Sequence, residues 1–250
     1  MSVDRPETEC LLLHGWGFGA GVWQPLIDQL DGHVQCRAIA LPGYDDSSAA
    51  DGQATTVTAF IDQLAAQLGS STIVIGWSLG GLLAVELAWR YPDRVRALGM
   101  VAALPCFNRQ PGWAAGWDAG AIATVHDRLQ QNAAAACRYV AALAARGDEH
   151  GQYIRQRLNA AAVVRDSVLQ RDLDFLRTAD VREAFAALEL PINVWLGNRD
   201  ALIGGDCAVA LRDLQPTAEI HEFRHAGHAP LLSRPREMAH DLARKLEMLQ

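Results

Sequence analysis

Ser78 stands at the centre of Gly76-Trp77-Ser78-Leu79-Gly80, a G-x-S-x-G run followed by Gly81. A serine hydroxyl is a poor nucleophile until its surroundings present it and a base takes its proton. Glycines two residues before and after leave room for a sharp turn that lifts the hydroxyl above a sheet edge. A glycine-rich turn with a passenger serine is the bland alternative. Position disfavours it, because the run separates a β-branched segment from one of helical period. The orienting acid and the base are then expected later in the chain, in the order serine, acid, histidine, each after a late strand. Asp200, in Gly197-Asn198-Arg199-Asp200, and His228, in Ala226-Gly227-His228-Ala229-Pro230, meet those conditions. Two competitors are weaker: His225 falls at a strand end, and Asp206 reads as an acidic helix opening that complements the dipole.

Acyl transfer also needs two N–H donors aimed where negative charge develops. Leu79, the residue after the nucleophile, offers one. The loop His14-Gly15-Trp16-Gly17 offers the other, at Trp16, whose indole is also placed to pack on an acyl chain. Other chemistries fit less well. The glycines near Trp16 do not form G-x-G-x-x-G, there is no H-E-x-x-H, and His33, His126, His150, His221 and His240 are dispersed, as surface or packing residues are. No metal or cofactor is therefore expected.

Positioning these groups requires strands that end on one rim. Short apolar runs at 10–14, 34–41, 72–76, 95–103, 192–197 and 218–223 alternate with segments of helical period. Val57, Phe60, Ile61, Leu64 and Leu68 fall on one helical face, and residues 82–91 read as a helix stopped by Pro92. Strands alternating with helices predict βαβ units and a mostly parallel sheet of about six strands. Between 105 and 185 the rhythm breaks into alanine- and arginine-rich helical sequence with no convincing strand. That predicts a core of 1–104 and 186–250 with a helical lid, 105–185, inserted into it. A final helix is expected after Pro235.

The composition bounds the remaining classes. The chain has 250 residues, half of them apolar, and a formal charge of −7, which disfavours nucleic-acid binding. No apolar run reaches membrane-spanning length. Met1-Ser2-Val3-Asp4-Arg5-Pro6-Glu7 lacks a basic n-region before an apolar stretch, so no signal peptide is expected. Five scattered cysteines without C-x-x-C argue against a disulfide framework and suggest a cytoplasmic protein.

Taken together these residues resemble the α/β-hydrolase superfamily. More narrowly, Leu12-Leu13-His14-Gly15-Trp16-Gly17, Gly76-Trp77-Ser78-Leu79-Gly80-Gly81, Tyr91-Pro92-Asp93-Arg94-Val95-Arg96-Ala97-Leu98, Pro105-Cys106-Phe107 and Ala226-Gly227-His228-Ala229-Pro230 resemble the pimeloyl-[acyl-carrier protein] methyl ester esterases of biotin synthesis. The resemblance covers most of the core and only loosely the lid. It implies a cytoplasmic serine carboxylesterase with Ser78, Asp200 and His228 as triad, Trp16 and Leu79 as oxyanion donors, and Phe107 near the substrate. It further implies an acyl carrier protein as partner, met by Arg138, Arg155 and Arg157 of the lid. The H-G-W-G loop begins after only thirteen residues, which predicts that one or two edge strands of the family are missing. The lid carries ten arginines against nine acidic residues, so carrier docking would rest on a local patch, and a solvated helix face explains the arginines almost as well. Two other classes remain open: a small-molecule carboxylesterase or carbon–carbon bond hydrolase with the same triad, and a non-catalytic binding protein of the same fold.

Overall fold

A computed structural model describes residues 9–30, 34–45, 56–69, 71–163, 165–204 and 206–248. The expectations for residues 1–8 and for His33 lie outside them. β1 (Glu9–Leu13) leads through a 3-10 turn (Ala20–Trp23) and α1 (Gln24–Leu30) to β2 (Gln35–Ile39), followed by α2 (Val57–Ala65), β3 (Thr72–Trp77), α3 (Leu79–Arg90) and β4 (Val95–Val101). Five helices come next: α4 (Ala119–Gln131), α5 (Ala133–Ala145), α6 (Gly151–Ala160), α7 (Asp166–Thr178) and α8 (Arg182–Ala186). β5 (Ile192–Gly197), α9 (Cys207–Leu214), β6 (Glu219–Phe223), α10 (Pro230–Ser233) and α11 (Pro235–Met248) complete the chain.

The six strands form one all-parallel sheet in the order β2-β1-β3-β4-β5-β6. Among the described residues β2 is an edge, with no strand beyond it. A parallel sheet is covered on both faces, and the side-chain alternation of β3 shows how. Ile73 and Ile75 line a small gap with Trp195 and Leu242, on the side of α11. Gly76, of opposite parity, meets the backbone of α3: a Cβ there would lie 2.0 Å from the Gly80 carbonyl oxygen. The fully buried Leu11, Leu12 and Leu13 of β1 account for its continuous apolar run.

Strand order decides where a site can form. The chain steps from β1 outward to β2, then crosses back over β1 to place β3 on its other side. The connections that leave the carboxyl ends of the paired β1 and β3 therefore run to opposite sides, and the crevice between them is where an open α/β sheet admits ligands. The loop 14–17 and Ser78 follow those two strands.

Between β4 and β5 the described residues contain helices and only isolated bridges, such as Cys106 with Asp180 and Asn108 with Trp117. Side chains cap the helix starts: Asp118 accepts from the Ala121 N–H and Asn132 from the Ala135 N–H, both at 2.8 Å. Alanines 133–136, the locally simple tract, open α5, as their propensity favours. Short backbone bonds tie this block to the core. Gly19 N–H donates to the Ala161 carbonyl (2.9 Å) and Val163 N–H to that of Gly17 (3.0 Å). α8 packs on α3 and α9. The 3-10 turn, α1 and α10 went unforeseen; each is of seven residues or fewer, too short to print a period.

Candidate active site

Ser78 closes β3 and opens α3 with φ 54° and ψ −117°, a conformation that an L-residue adopts only under constraint. Its N–H donates to the Val101 carbonyl at 2.9 Å, and glycine backbones on either side remove what a Cβ would obstruct. A Cβ on Gly80 would sit 2.2 Å from the Leu13 carbonyl oxygen; one on Gly15 would lie 3.3 Å from the Ser78 Cβ. The G-x-S-x-G glycines therefore let β1, β3 and α3 approach at backbone distance, with the serine in the gap.

The structure brings the three distant side chains together. Ser78 Oγ lies 3.0 Å from His228 Nε2, and His228 Nδ1 lies 2.7 Å from Asp200 Oδ2. An ionised carboxylate only accepts, so Nδ1 carries the hydrogen and Nε2 is left to accept from the serine hydroxyl. Asp200 is itself fixed by the Leu202 and Ile203 N–H groups, which donate to Oδ1 at 2.8 and 3.1 Å. Both side chains are buried, that of Asp200 completely. The His228 loop is pinned at three points: its N–H donates to the Ala144 carbonyl (3.1 Å), its carbonyl accepts the Trp77 indole N–H (2.7 Å), and the neighbouring Gly227 N–H donates to Asp148 Oδ2 (2.8 Å). The competitors lie elsewhere: His225 is exposed at φ 56°, and Asp206 is exposed at the start of α9.

On the β1 side, Trp16 is buried beside this group, and Leu79 is the first residue of α3, where an N–H has no intrahelical acceptor. Within the loop His14 Nδ1–H donates to the Gly15 carbonyl (3.0 Å), and Nε2 accepts from the Leu41 N–H (2.9 Å). Gly15 C=O and Trp16 N–H belong to one trans peptide and point in opposite directions. Holding the carbonyl thus aims the N–H. Both bonds require the neutral imidazole, and burial pushes its pKa down to about 4.

A narrow, mostly apolar cavity opens at Ser78 and His228, lined also by Gly15, Trp16, Phe18, Trp77, Trp117, Val140, Ala144, Leu176 and Leu202. Among the candidates, Trp16 lines it and Phe107 does not; Phe107 is buried, and its carbonyl accepts the Trp117 N–H at 2.7 Å. Phe18, Trp117, Val140, Ala144, Leu176 and Leu202 were not anticipated, since nothing local in sequence marks them. Trp77, inside the serine motif, could have been.

Arg138 is exposed on α5, and Arg155 and Arg157 are exposed on α6. Two residues apart on a helix is a rotation of about 200°. Around the buried Ile154 and Leu158 the two α6 arginines therefore lie on opposite flanks, so they do not share one face. Among the described residues no group of three or more His, Cys, Asp or Glu could hold a metal ion, and no helix is long and apolar enough to cross a membrane. All five cysteines are free.

The alpha/beta hydrolase family model matches residues 10–241, nearly the whole described chain. The chain belongs to the α/β-hydrolase family. The hydrolase is 34% identical over 246 residues to the pimeloyl-[acyl-carrier protein] methyl ester esterase of Aromatoleum aromaticum, covering 95% of this chain and 96% of that one. The protein of the same name from Proteus mirabilis is 32% identical over 253 residues, covering 99% and 96%. An esterase from Exiguobacterium antarcticum superposes with a TM-score of 0.83 at 16% identity, over 96% of this chain and 92% of that one. A bromoperoxidase from Bacillus anthracis reaches 0.82 at 16% identity, over the same shares of the two chains. Likenesses at that identity carry the fold alone. The sequence relatives, named esterases, place the hydrolase among the carboxylic ester hydrolases.

Proposed function

We propose that the chain is a serine carboxylesterase that hydrolyses the methyl ester of pimeloyl-[acyl-carrier protein] methyl ester, releasing methanol and the free acid for biotin synthesis. The hydrogen-bonded line Ser78–His228–Asp200 is the observation that carries the chemistry. The named relatives, about a third identical along the whole chain, carry the choice of substrate.

His228 Nε2 takes the Ser78 proton as Oγ attacks the ester carbonyl carbon, and the imidazolium that forms is stabilised by buried Asp200. The carbonyl oxygen becomes an oxyanion, met by the Leu79 and Trp16 N–H groups. His228 returns the proton to the departing methoxide, giving methanol and a Ser78 acyl ester. Water, deprotonated by His228, attacks that ester; collapse releases the carboxylic acid and restores the hydroxyl. The acyl chain lies in the apolar cavity beside Trp16 and Phe18, with Phe107 supporting Trp117.

Residues 105–185 act as a lid on the core of 1–104 and 186–250, and the carrier meets its outer surface. Of the candidate docking residues, Arg138 with one of Arg155 and Arg157 makes the basic patch, because the latter two face apart. On this reading the enzyme works in the cytoplasm with its carrier. A second reading, a small-molecule carboxylesterase without a carrier, is favoured by the divergence of those arginines and by the charge of −7, which opposes an acidic partner.

Complementation separates the outcomes. The gene is expected to restore growth without biotin to a strain lacking its own methyl esterase, and the Ser78→Ala variant is expected to fail. Hydrolysis of short free esters without complementation supports the second reading. Complementation by Ser78→Ala overturns the mechanism.

A further inference from the structure

Two of the five free thiols stand side by side on neighbouring strands. The register of β1 with β2 sets Cys10 opposite Cys36, and that of β1 with β3 sets Cys10 opposite Ile73. Register partners in a parallel pair send their side chains to one face, so both sulfurs lie with Ile73 on the α11 side. Neighbouring strands run about 4.8 Å apart, inside the Cα separation of about 4.4–6.8 Å that a disulfide spans. On the opposite face Arg37 Nε donates to Glu9 Oε1 at 2.6 Å, which ties the two strands together. The tie holds the register, and a slip of one residue would turn one sulfur to the other face.

The two thiols are unequal. Cys10 is fully buried, whereas Cys36, on the edge strand β2, is half-buried. A hydrogen bond from the Cys10 thiol draws the Cys36 pKa below its ordinary value, against the effect of partial burial. The same bond, together with burial, pushes Cys10 well up. Thiolates are the reactive form, and a partly exposed thiol of lowered pKa is where oxidants act first. The other three differ: Cys106, Cys137 and Cys207 are buried, and desolvation raises each thiol, Cys137 to about 11 and Cys207 to about 12.

We propose that Cys36 and Cys10 form a peroxide-reactive dithiol, with Cys36 as the attacking sulfur and Cys10 as the resolving one. The Cys36 thiolate attacks one oxygen of hydrogen peroxide; the O–O bond breaks, hydroxide leaves and a sulfenic acid remains. The Cys10 sulfur then attacks the Cys36 sulfur, the S–O bond breaks, and hydroxide departs as water with the Cys10 proton. The first hydroxide takes up the proton that Cys36 had released. Two thiols have lost two electrons, and peroxide has become two waters. The product joins the edge strand to the strand that carries the loop 14–17. Outside oxidising compartments such bonds are transient, formed under oxidant and removed by a thiol. Neither sulfur lines the cavity at Ser78, so the inference does not depend on the serine-esterase reading.

The test treats the reduced, full-length chain with hydrogen peroxide, unfolds it in N-ethylmaleimide to block remaining thiols, and maps peptides without reductant. A peptide pair joined through Cys10 and Cys36, two hydrogens lighter than its parts, is expected within the monomer. Dithiothreitol should remove it. Brief exposure of the folded chain to iodoacetamide should label Cys36 at least about tenfold faster than any other cysteine. In Cys10→Ala the resolving sulfur is gone, so Cys36 should stop at a sulfenic acid that dimedone traps. In Cys36→Ser, peroxide should consume the Cys10 thiol at least about tenfold more slowly. Thermal melting checks that both variants fold; if either does not, the peptide map of the parent decides alone. Cys36 carried on to sulfinic acid while Cys10 still takes N-ethylmaleimide would overturn the proposal. So would a disulfide to another cysteine or between two chains.

Discussion

His14 sets a pH limit on the fold. Its imidazole must be neutral to donate to Gly15 and accept from Leu41, and the folded pKa near 4 lies below the ordinary 6.5. Below pH 6.5 the unfolded chain binds a proton that the folded chain refuses, so stability falls as pH drops toward 4. At pH 5 this one group withdraws about 2 kcal/mol. Urea midpoints at pH 7 and pH 5 check it: the parent should lose that much more than a His14→Gln variant. A second expectation concerns Asp200, whose Oδ1 is occupied by two backbone N–H groups and whose Oδ2 faces His228. Asp200→Asn should keep the fold and lower kcat about 10⁴-fold, because an amide donor at Oδ2 selects the wrong imidazole tautomer. At this scale the meeting of Ser78, His228 and Asp200 was legible because Ser78 and His228 carry local glycines and all three follow strands. Phe18, Trp117 and Leu176 of the cavity were not, since they reach it only through contacts far away in the chain.

The strand–turn–helix units were the most readable elements, because their apolar runs and the punctuation at Gly76, Pro92 and Pro191 coincide. β4 ends at Val101, where the following Ala102 turns to φ 44°, two residues before its apolar run ends. α1 and α10 hide because so few of their side chains need to alternate. The elements also rank the glycines. Gly80→Ala drives a Cβ against the Leu13 and His14 carbonyls, at 2.2 and 2.7 Å, and so pushes on the strand end that carries the loop 14–17. It should cost about 3 kcal/mol or more and most of the activity. Gly21→Ala, with nothing within 4 Å of the new methyl, should shift stability by less than about 1 kcal/mol and leave kcat alone. Melting curves of the two variants decide it.

Across the whole molecule, the sheet rim collects what β1, β3, β5 and β6 deliver, and the segment between β4 and β5 tightens the arrangement through Ala144, Asp148 and Leu169. Strand order could be argued from sequence only as far as a parallel sheet; the return of β3 across β1, which opens the crevice, is a property of packing. A carrier seated on a basic patch against a net charge of −7 should make recognition salt-sensitive. Charge reversal at Arg138 and Arg155 together is expected to raise KM for the carrier-linked ester about tenfold at low salt, with a short free ester unaffected. All of this presupposes that the Ser78 hydroxyl attacks with His228 as its base. The direct measurement is peptide mass mapping after brief exposure to a fluorophosphonate. One adduct, on the peptide carrying Ser78, is predicted in the parent, forming at least about a hundredfold more slowly in His228→Ala. An adduct on another residue, or equal rates in the two proteins, would contradict the account.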